Sequence, residues 1–389
     1  PSNAQAGAGA DLDVGELETL FTARGTPTTS HPAMGGKAPG TPSKIALVDI
    51  KRARNVGIIL ARVGVPMHEV AAAIGRGDTH FLSGDTLANL TGELTLTSSE
   101  KVALERYKGS VRALSEADQF FIALLSIPRP VVKVAALRTR ADLAATADKL
   151  SGEISLVCRA CEQVRNSKEL TRILELILAL GNILNRGTKK GAAQGFTLSS
   201  LAKLVDTKAS NKSTTLLHYL AKTVQSKSKD LIGFTETLSE VAPASRVQHG
   251  SVRRGIASLA KEVDATRDEC AADGGAFAAA LEPFVRDASE RVSALKGDLR
   301  AMEASAEGVC SYFGESSTPG KSEEVLKTLH TFCTSFDRAI KENDAKAARK
   351  KEKERRAKEK EIMGLGGAER LQRRGGAAVV AVVAVGRDV

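Results

Sequence analysis

Tryptophan is absent from this 389-residue chain, and all aromatic residues together make up only 4% of it. Five cysteines in this length do not form a disulfide framework. Cys158 and Cys161 spell a CxxC, but they lie in a helical pattern with no second pair, so reduced thiols in a reducing compartment are expected. The six histidines are scattered, without metal-ligand spacing. Enzyme signatures are missing as well: there is no GxxxxGK before a Ser or Thr, no GxSxG, no HExxH and no strand leading into a GxGxxG. Lys189-Lys190 beside Gly191 lacks the strand and the hydroxyl that a phosphate cradle needs. Asp206 and Lys208 fall in a polar turn, where capping is the expected role. No catalytic residue, metal or cofactor is therefore expected, and the reading is a non-enzyme. A secretory signal is not visible, and the longest apolar run, Ala377 to Val385, is too short to span a bilayer. A soluble intracellular protein is expected. No alternating β pattern and no fixed repeat of 20–50 residues appears.

What remains is helical material. Apolar residues form 42% and charged residues 26% of the chain, which fits a folded protein rather than a disordered one. Leu, Ala, Glu, Lys and Arg dominate, all good helix formers. The net charge of +10 favours acidic partners without choosing among them. Lys341 to Glu361 holds ten basic and six acidic residues, the pattern of a solvated, salt-bridged helix. It carries no aromatic platform, which weighs against nucleic acid.

Taken in order, residues 1–10 form a Gly/Ala-rich leader expected to be disordered. Within 11–23, Leu12, Leu17, Leu20 and Phe21 make an amphipathic segment too short to be stable without docking. Residues 24–43 contain four Pro and four Gly and read as a linker. Its coil span is about 25 Å, and full extension approaches ~65 Å. A helical core follows over 44–343, then a basic helical tail and a C-terminus expected to be disordered over 344–389. In Asp49 to Val63, Ala53, Val56, Ile59, Leu60 and Val63 share one face of a helical wheel, and Ile58 falls about 200° from Val56. Short helices are predicted over Met67 to Gly75, Asp85 to Gly92, Ser98 to Lys108 and Ser115 to Ser126, with Thr97 and Glu100 spaced as a capping box. Arg76-Gly77-Asp78 reads as a turn. Long helices are predicted over Val131 to Asn185, broken near Ser151-Gly152 and Asn166-Ser167, and over Lys222 to Leu238, Val252 to Asp273 and Gly275 to Val309. A last one, Ser322 to Lys341, turns Leu326, Leu329, Phe332, Phe336 and Ile340 inward.

The chain is organised around Leu170 to Val224. Leu170, Ile173, Leu174, Ile177, Leu180 and Leu184 recur at helical steps, with Asn166 and Glu169 spaced as a capping box and the helix running to about Asn185. Arg186 to Gly191 breaks the pattern. Leu198, Leu201, Leu204 and Val205, then Leu216, Leu217, Leu220 and Val224, form the next faces. Gly181-Asn182-Ile183-Leu184-Asn185, Gly195-Phe196, Lys203-Leu204, Asp206-Thr207-Lys208 and Thr215-Leu216-Leu217-His218-Tyr219-Leu220 together resemble the signature of the formin homology two domain. A weaker resemblance extends over Asp11 to Asn343.

The resemblance implies an all-α, elongated domain made of a lasso remnant (11–23), a linker (24–43), a knob, a coiled-coil region and a post. It implies an actin partner, nucleation of unbranched filaments, tracking of their barbed ends as a homodimer, and a cytoplasmic, cytoskeletal location. Ile58, in Asn55-Val56-Gly57-Ile58, matches the exposed knob isoleucine that packs on actin. Lys212, in Asn211-Lys212-Ser213, matches the lysine of the second actin contact. Gly181, Asn182, Asn185, Gly195 and Phe196 match the post that receives the other subunit's lasso. The family's lasso buries tryptophans, which this chain lacks, so either the true lasso lies upstream of Pro1 or dimerisation is weak. The profilin-binding polyproline region is not present either. The alternative reading is a helical scaffold that binds an acidic partner, such as a microtubule, through its basic C-terminal helix.

Overall fold

The computed structural model describes residues 44–188, 191–210 and 213–384, with side chains as far as residue 359. The segment 11–23, the linker 24–43 and Lys212 lie outside the described residues. The chain divides into two units between Ile45 and Ala46, and the helices named here belong to the second. Its regular elements are helices, so the fold is all-α as expected. The extended pairing among the described residues is one isolated bridge, Lys208 with Thr215.

Five short helices come first: α1 (Ile50–Ala61), α2 (Met67–Arg76), α3 (Gly84–Glu93), α4 (Ser98–Arg106) and α5 (Glu116–Leu125). Four of them start where the sequence supplies an oxygen for an orphan N–H. Asp49, Ser83, Thr97 and Ser115 each cap the following helix with a side-chain hydrogen bond, a device that stabilises a helix by ~1 kcal/mol. Thr97 and Glu100 form the capping box that their spacing predicts. Gly77 ends α2 at φ 75, and a Cβ there would meet Leu281 at 2.7 Å, so only glycine fits this turn. Arg76-Gly77-Asp78 is thus a helix end.

The remaining helices are α6 (Pro130–Asn166), α7 (Lys168–Leu184), α8 (Leu201–Asp206), α9 (Leu216–Lys227), α10 (Val241–Ala244), α11 (His249–Asp273), α12 (Ala276–Tyr312) and α13 (Lys321–Ala384). Two apolar cores result. The smaller packs α1 to α5 against Val134, Ala136 and Leu137 of α6 and Phe277, Leu281 and Val285 of α12. The larger gathers Leu143 to Val164 of α6, the inner faces of α7 to α11, Ala288 to Cys310 of α12, and Leu326, Leu329, Phe332 and Phe336 of α13. The long helices α6, α11 and α12 pack pairwise and run from one core into the other. With 37 residues, α6 spans about 55 Å at 1.5 Å per residue. Two surfaces, one per core, are therefore held on one helical frame.

Several boundaries differ from expectation, each for a local reason. Ser151-Gly152 does not break α6. One internal glycine costs only about 1 kcal/mol, and Leu150 and Ile154 on either side are buried against neighbouring helices. The cap of α7 is Ser167, whose hydroxyl accepts the Leu170 N–H at 3.0 Å, one position later than Asn166. Lys222 to Leu238 is not one helix: α9 stops at Ser228, and two 3-10 turns follow. With no break at Lys341, one element, α13, comprises the last predicted helix and the basic helical tail. There Arg355 bonds Glu359 at 2.6 Å and Arg356 bonds Glu352 at 2.7 Å, the one-turn pairs expected of a solvated charged helix.

All five cysteines are unpaired. Burial pushes the Cys161 thiol up to about 12, so it stays protonated and inert. Among the described residues no single helix is long and apolar enough to cross a membrane.

Candidate functional site

The first candidate surface is the outer face of α1. Val56 and Leu60 are fully buried in the smaller core, which fixes the rotation of the helix about its axis. That rotation leaves Ile58 pointing outward, 49% exposed. A branched apolar side chain in this setting offers a contact without being needed for packing.

Two carboxylates hold α1 in place from outside the helix. Asp118, fully buried in α5, accepts the N–H groups of Val48 at 3.0 Å and Leu47 at 3.1 Å and the Ser115 hydroxyl at 2.5 Å. Glu100 of α4 accepts the Asp49 N–H at 3.0 Å, Arg52 Nε at 3.1 Å, and the Thr97 N–H and hydroxyl, both at 2.8 Å. Arg52 also donates to the Glu93 carbonyl at 2.7 Å, and Asn55 donates to the Glu93 carboxylate at 2.9 Å. Burial by itself would raise the Glu100 pKa, but the hydrogen bonds from Asp49 and Thr97 and the Arg52 charge outweigh it and bring it to about 2.

The sign of the pH effect follows from that value. Because the folded-state pKa lies below the ordinary 4.5, the stabilisation is complete above pH 4.5 and is lost as pH falls toward about 2. Glu100→Gln is expected to cost on the order of 2–3 kcal/mol at neutral pH. The difference from the parent should shrink to near zero by pH 2, as read by urea unfolding at a series of pH values. A difference that stays constant from pH 7 to pH 2 would refute the assignment.

The second surface lies on the larger core, around the ends of α7 and α9. Asn182 clamps the loop after α7 with two bonds to Ala193: its Nδ2 donates to the carbonyl and its Oδ1 accepts the N–H, each at 2.9 Å. Asn185 closes the helix end by donating to the Gly181 carbonyl at 2.9 Å, while its own carbonyl accepts the Thr188 hydroxyl at 2.8 Å. Gly195 is exposed with open space about its Cα, and Phe196 is half-buried against the larger core. These two asparagines are thus bound to backbone, which makes them shapers of the loop.

The apolar residues that face solvent here were not in the expected set. Ile183 is 69% and Leu184 58% exposed, with Tyr219 and Val205 also outward. Leu184 belongs to the repeating stripe of α7, yet Ile177 is the last fully buried residue of that stripe and Leu180 the last packed on the core. No spacing in the sequence sets Leu184 apart, since it keeps the period of the buried residues before it.

Lys212 lies outside the described residues, but the two arms beside it are anchored. The Leu216 N–H donates to the Thr207 carbonyl at 2.9 Å, and the Ala209 N–H to the Thr214 carbonyl at 2.8 Å. Lys346 of α13 donates to the Ser213 carbonyl at 3.0 Å. Below them, His218 Nδ1 accepts the Thr215 N–H, so Nε2 carries the ring proton and donates to Glu342 at 2.8 Å. That bond lowers the Glu342 pKa. Asn343 adds a bond to the His218 carbonyl at 2.9 Å.

Neither surface is a cleft with convergent nucleophiles, and no cluster of metal-ligating side chains occurs among the described residues.

The model of the Formin Homology 2 Domain matches residues 2–337. Formin-like protein 20 of Arabidopsis thaliana is 33% identical over 350 residues, which cover 88% of this chain and 21% of that protein. Formin-like protein 6 of Oryza sativa subsp. japonica is 33% identical over 341 residues, covering 85% of this chain and 25% of that protein. Formin-like protein 14 of Arabidopsis thaliana is 32% identical over 352 residues, or 88% of this chain and 28% of that protein. The chain thus spans less than a third of the length of these three relatives.

Proposed function

The chain belongs to the Formin Homology 2 Domain family, and from that premise we propose that it binds actin, nucleates unbranched filaments and tracks their barbed ends as a homodimer. The observation that carries this reading is Ile58, turned to solvent by a helix whose opposite face is locked by Val56 and Leu60. The role is binding without covalent chemistry, exercised at the cytoplasmic actin cytoskeleton. Ile58 supplies an apolar contact to one actin subunit and Lys212 a cationic contact to a neighbouring one. A rigid frame that holds two or three subunits in filament-like arrangement replaces an improbable encounter with a pre-organised one, and the saving in ordering entropy is the source of nucleation. Each half of the dimer then steps in turn as subunits add.

Dimerisation is assigned to docking of the 11–23 segment of one subunit on the other's post. The exposed Ile183 and Leu184, beside the loop shaped by Asn182 and Asn185, give that segment an apolar seat. Without an indole to bury, the association is expected to be weaker by the several kcal/mol that a tryptophan contributes by area.

A second reading, a scaffold for an acidic partner such as a microtubule, rests on the exposed basic face of α13 beyond Lys346. One experiment separates the two. The whole chain and a version ending at Ala347, which keeps the Glu342, Asn343 and Lys346 contacts to the α9 region, are compared in assembly of pyrene-labelled actin monomers. The nucleator reading expects both to shorten the lag several-fold, with sedimentation showing concentration-dependent dimer. Loss of all effect in the shorter chain, or no effect from either, would overturn it.

A further inference from the structure

The loop joining α12 to α13 is bracketed by Gly314 at φ 67 and Gly320 at φ 84, both in the left-handed region that glycine tolerates. Between them Ser316, Ser317, Thr318 and Pro319 are exposed. The Thr318 carbonyl accepts the Lys321 N–H at 3.0 Å, starting α13. Its hydroxyl makes no hydrogen bond among the described residues.

Thr318 lies on an open cleft of about 510 Å³ lined also by His249, Arg253 and Arg254 of α11, Glu303 and Glu307 of α12 and Glu323 of α13. Arg253 is taken by Glu303, its Nε donating at 3.0 Å. Arg254 pairs with no carboxylate among the described residues and folds back over Gly250, its Nη1 3.5 Å from the position a Cβ would take there. Glu323 accepts the His249 N–H at 2.8 Å. At the start of α13 the cap is Gly320, which has no side chain to offer, and the N–H groups of Ser322 and Glu323 have no acceptor among the described residues. An unpaired guanidinium and two orphan donors at a helix N-terminus thus flank one exposed hydroxyl.

We propose that Thr318 is the acceptor of a proline-directed protein kinase, and that its phosphate is held by Arg254 and the first-turn N–H groups of α13. The Thr318-Pro319-Gly320-Lys321 order suits that class of enzyme. Proline after the acceptor has no N–H to leave unbonded in the enzyme's groove, and a lysine follows two positions later. In the transfer, Thr318 Oγ1 forms a bond to the γ-phosphorus of ATP and the bond from that phosphorus to the β–γ bridging oxygen breaks. ADP leaves, and the hydroxyl proton passes to the kinase's base. A phosphate there carries nearly two negative charges and three acceptor oxygens, suited to a guanidinium and to a helix N-terminus. Glu303 and Glu307 of α12 disfavour it on their side of the cleft, while the Glu323 carboxylate is engaged by the His249 N–H. The consequence is a second tie between the first turns of α11 and α13, beside the bond that Glu323 already accepts from the His249 N–H. This inference stands apart from the actin reading.

Thr26-Pro27 and Thr41-Pro42-Ser43-Lys44 carry similar spelling, so the test uses the whole chain with Thr26→Ala and Thr41→Ala. It is incubated with ATP and a purified proline-directed Ser/Thr kinase, then analysed by fragment mass spectrometry and amide hydrogen exchange. One phosphate on Thr318 is expected, absent from Thr318→Val, with exchange over residues 314–324 slowed about tenfold, the scale of one charge-assisted hydrogen bond. Arg254→Gln should accept the phosphate but lose most of that slowing. No incorporation, incorporation only elsewhere, or equal slowing in Arg254→Gln would each overturn the proposal.

Discussion

Ile58→Ala is expected to abolish the acceleration of actin assembly while leaving helical content and unfolding midpoint close to those of the parent. The two halves of that expectation have separate physical grounds. On the folding side, Ile58 is half exposed and α1 is pinned by Val56 and Leu60. Removing a partly solvated side chain from a helix surface costs less than ~1 kcal/mol, and alanine's better helix propensity offsets part of it. On the binding side, the exposed half of an isoleucine is worth about 1–1.5 kcal/mol when buried in a partner's groove, and more at a well-packed centre. A dimer presents the contact twice, so the loss is about 2–3 kcal/mol, or close to a hundredfold in the stability of the nucleus. Lag times in pyrene-actin assembly should return to those of actin alone, while circular dichroism is unchanged. A variant that still shortens the lag as the parent does would remove Ile58 from the mechanism.

The same helix shows which parts of such a fold a sequence exposes to reading. The Thr97–Glu100 capping box, the inward stripe of Leu326, Leu329, Phe332 and Phe336, and the wheel position of Ile58 all rest on residues within one or two helical turns of each other. Local spacing determines them, and the structure places each as expected. The bond from the Val48 N–H to Asp118 joins positions 70 apart, and nothing near either residue announces it. Gly152 reads as a break because it follows Ser151 and precedes Glu153, whereas α6 continues through it, packed against α11 and α12. Leu184 failed in the opposite sense. It kept the period of a buried face, but the core it should face ends one turn earlier, and a periodicity carries no information about where a neighbouring element stops. The family was legible through the signature residues between Gly181 and Leu220, yet the exposure of Ile183 and Leu184 was not.

Glu269→Ala is expected to destabilise the folded chain by about 3 kcal/mol. Lys133 sits in the first turn of α6, 1% exposed, where a cation faces the unfavourable end of the helix dipole. Its ammonium is compensated from the α11–α12 corner: Nζ donates to Glu269 at 2.9 Å and to Asp273, and lies 4.1 Å from the centroid of the Phe277 ring. Glu269, 3% exposed, also accepts Arg129 Nε at 2.7 Å. The bond to Lys133 lowers the Asp273 pKa. Breaking a buried pair by removing one partner typically costs about 3–5 kcal/mol, because the other charge stays desolvated. Asp273 remains as a partner for Lys133 in Glu269→Ala, which places the effect at the low end of that range. Lys133→Met combined with Glu269→Leu removes both buried charges and should recover most of the loss, since Arg129 and Asp273 can both reach water. Urea unfolding of the two variants beside the parent tests the argument. A Glu269→Ala chain within about 1 kcal/mol of the parent, or a double variant no better than the single one, would show that this corner of the smaller core is held by apolar packing instead.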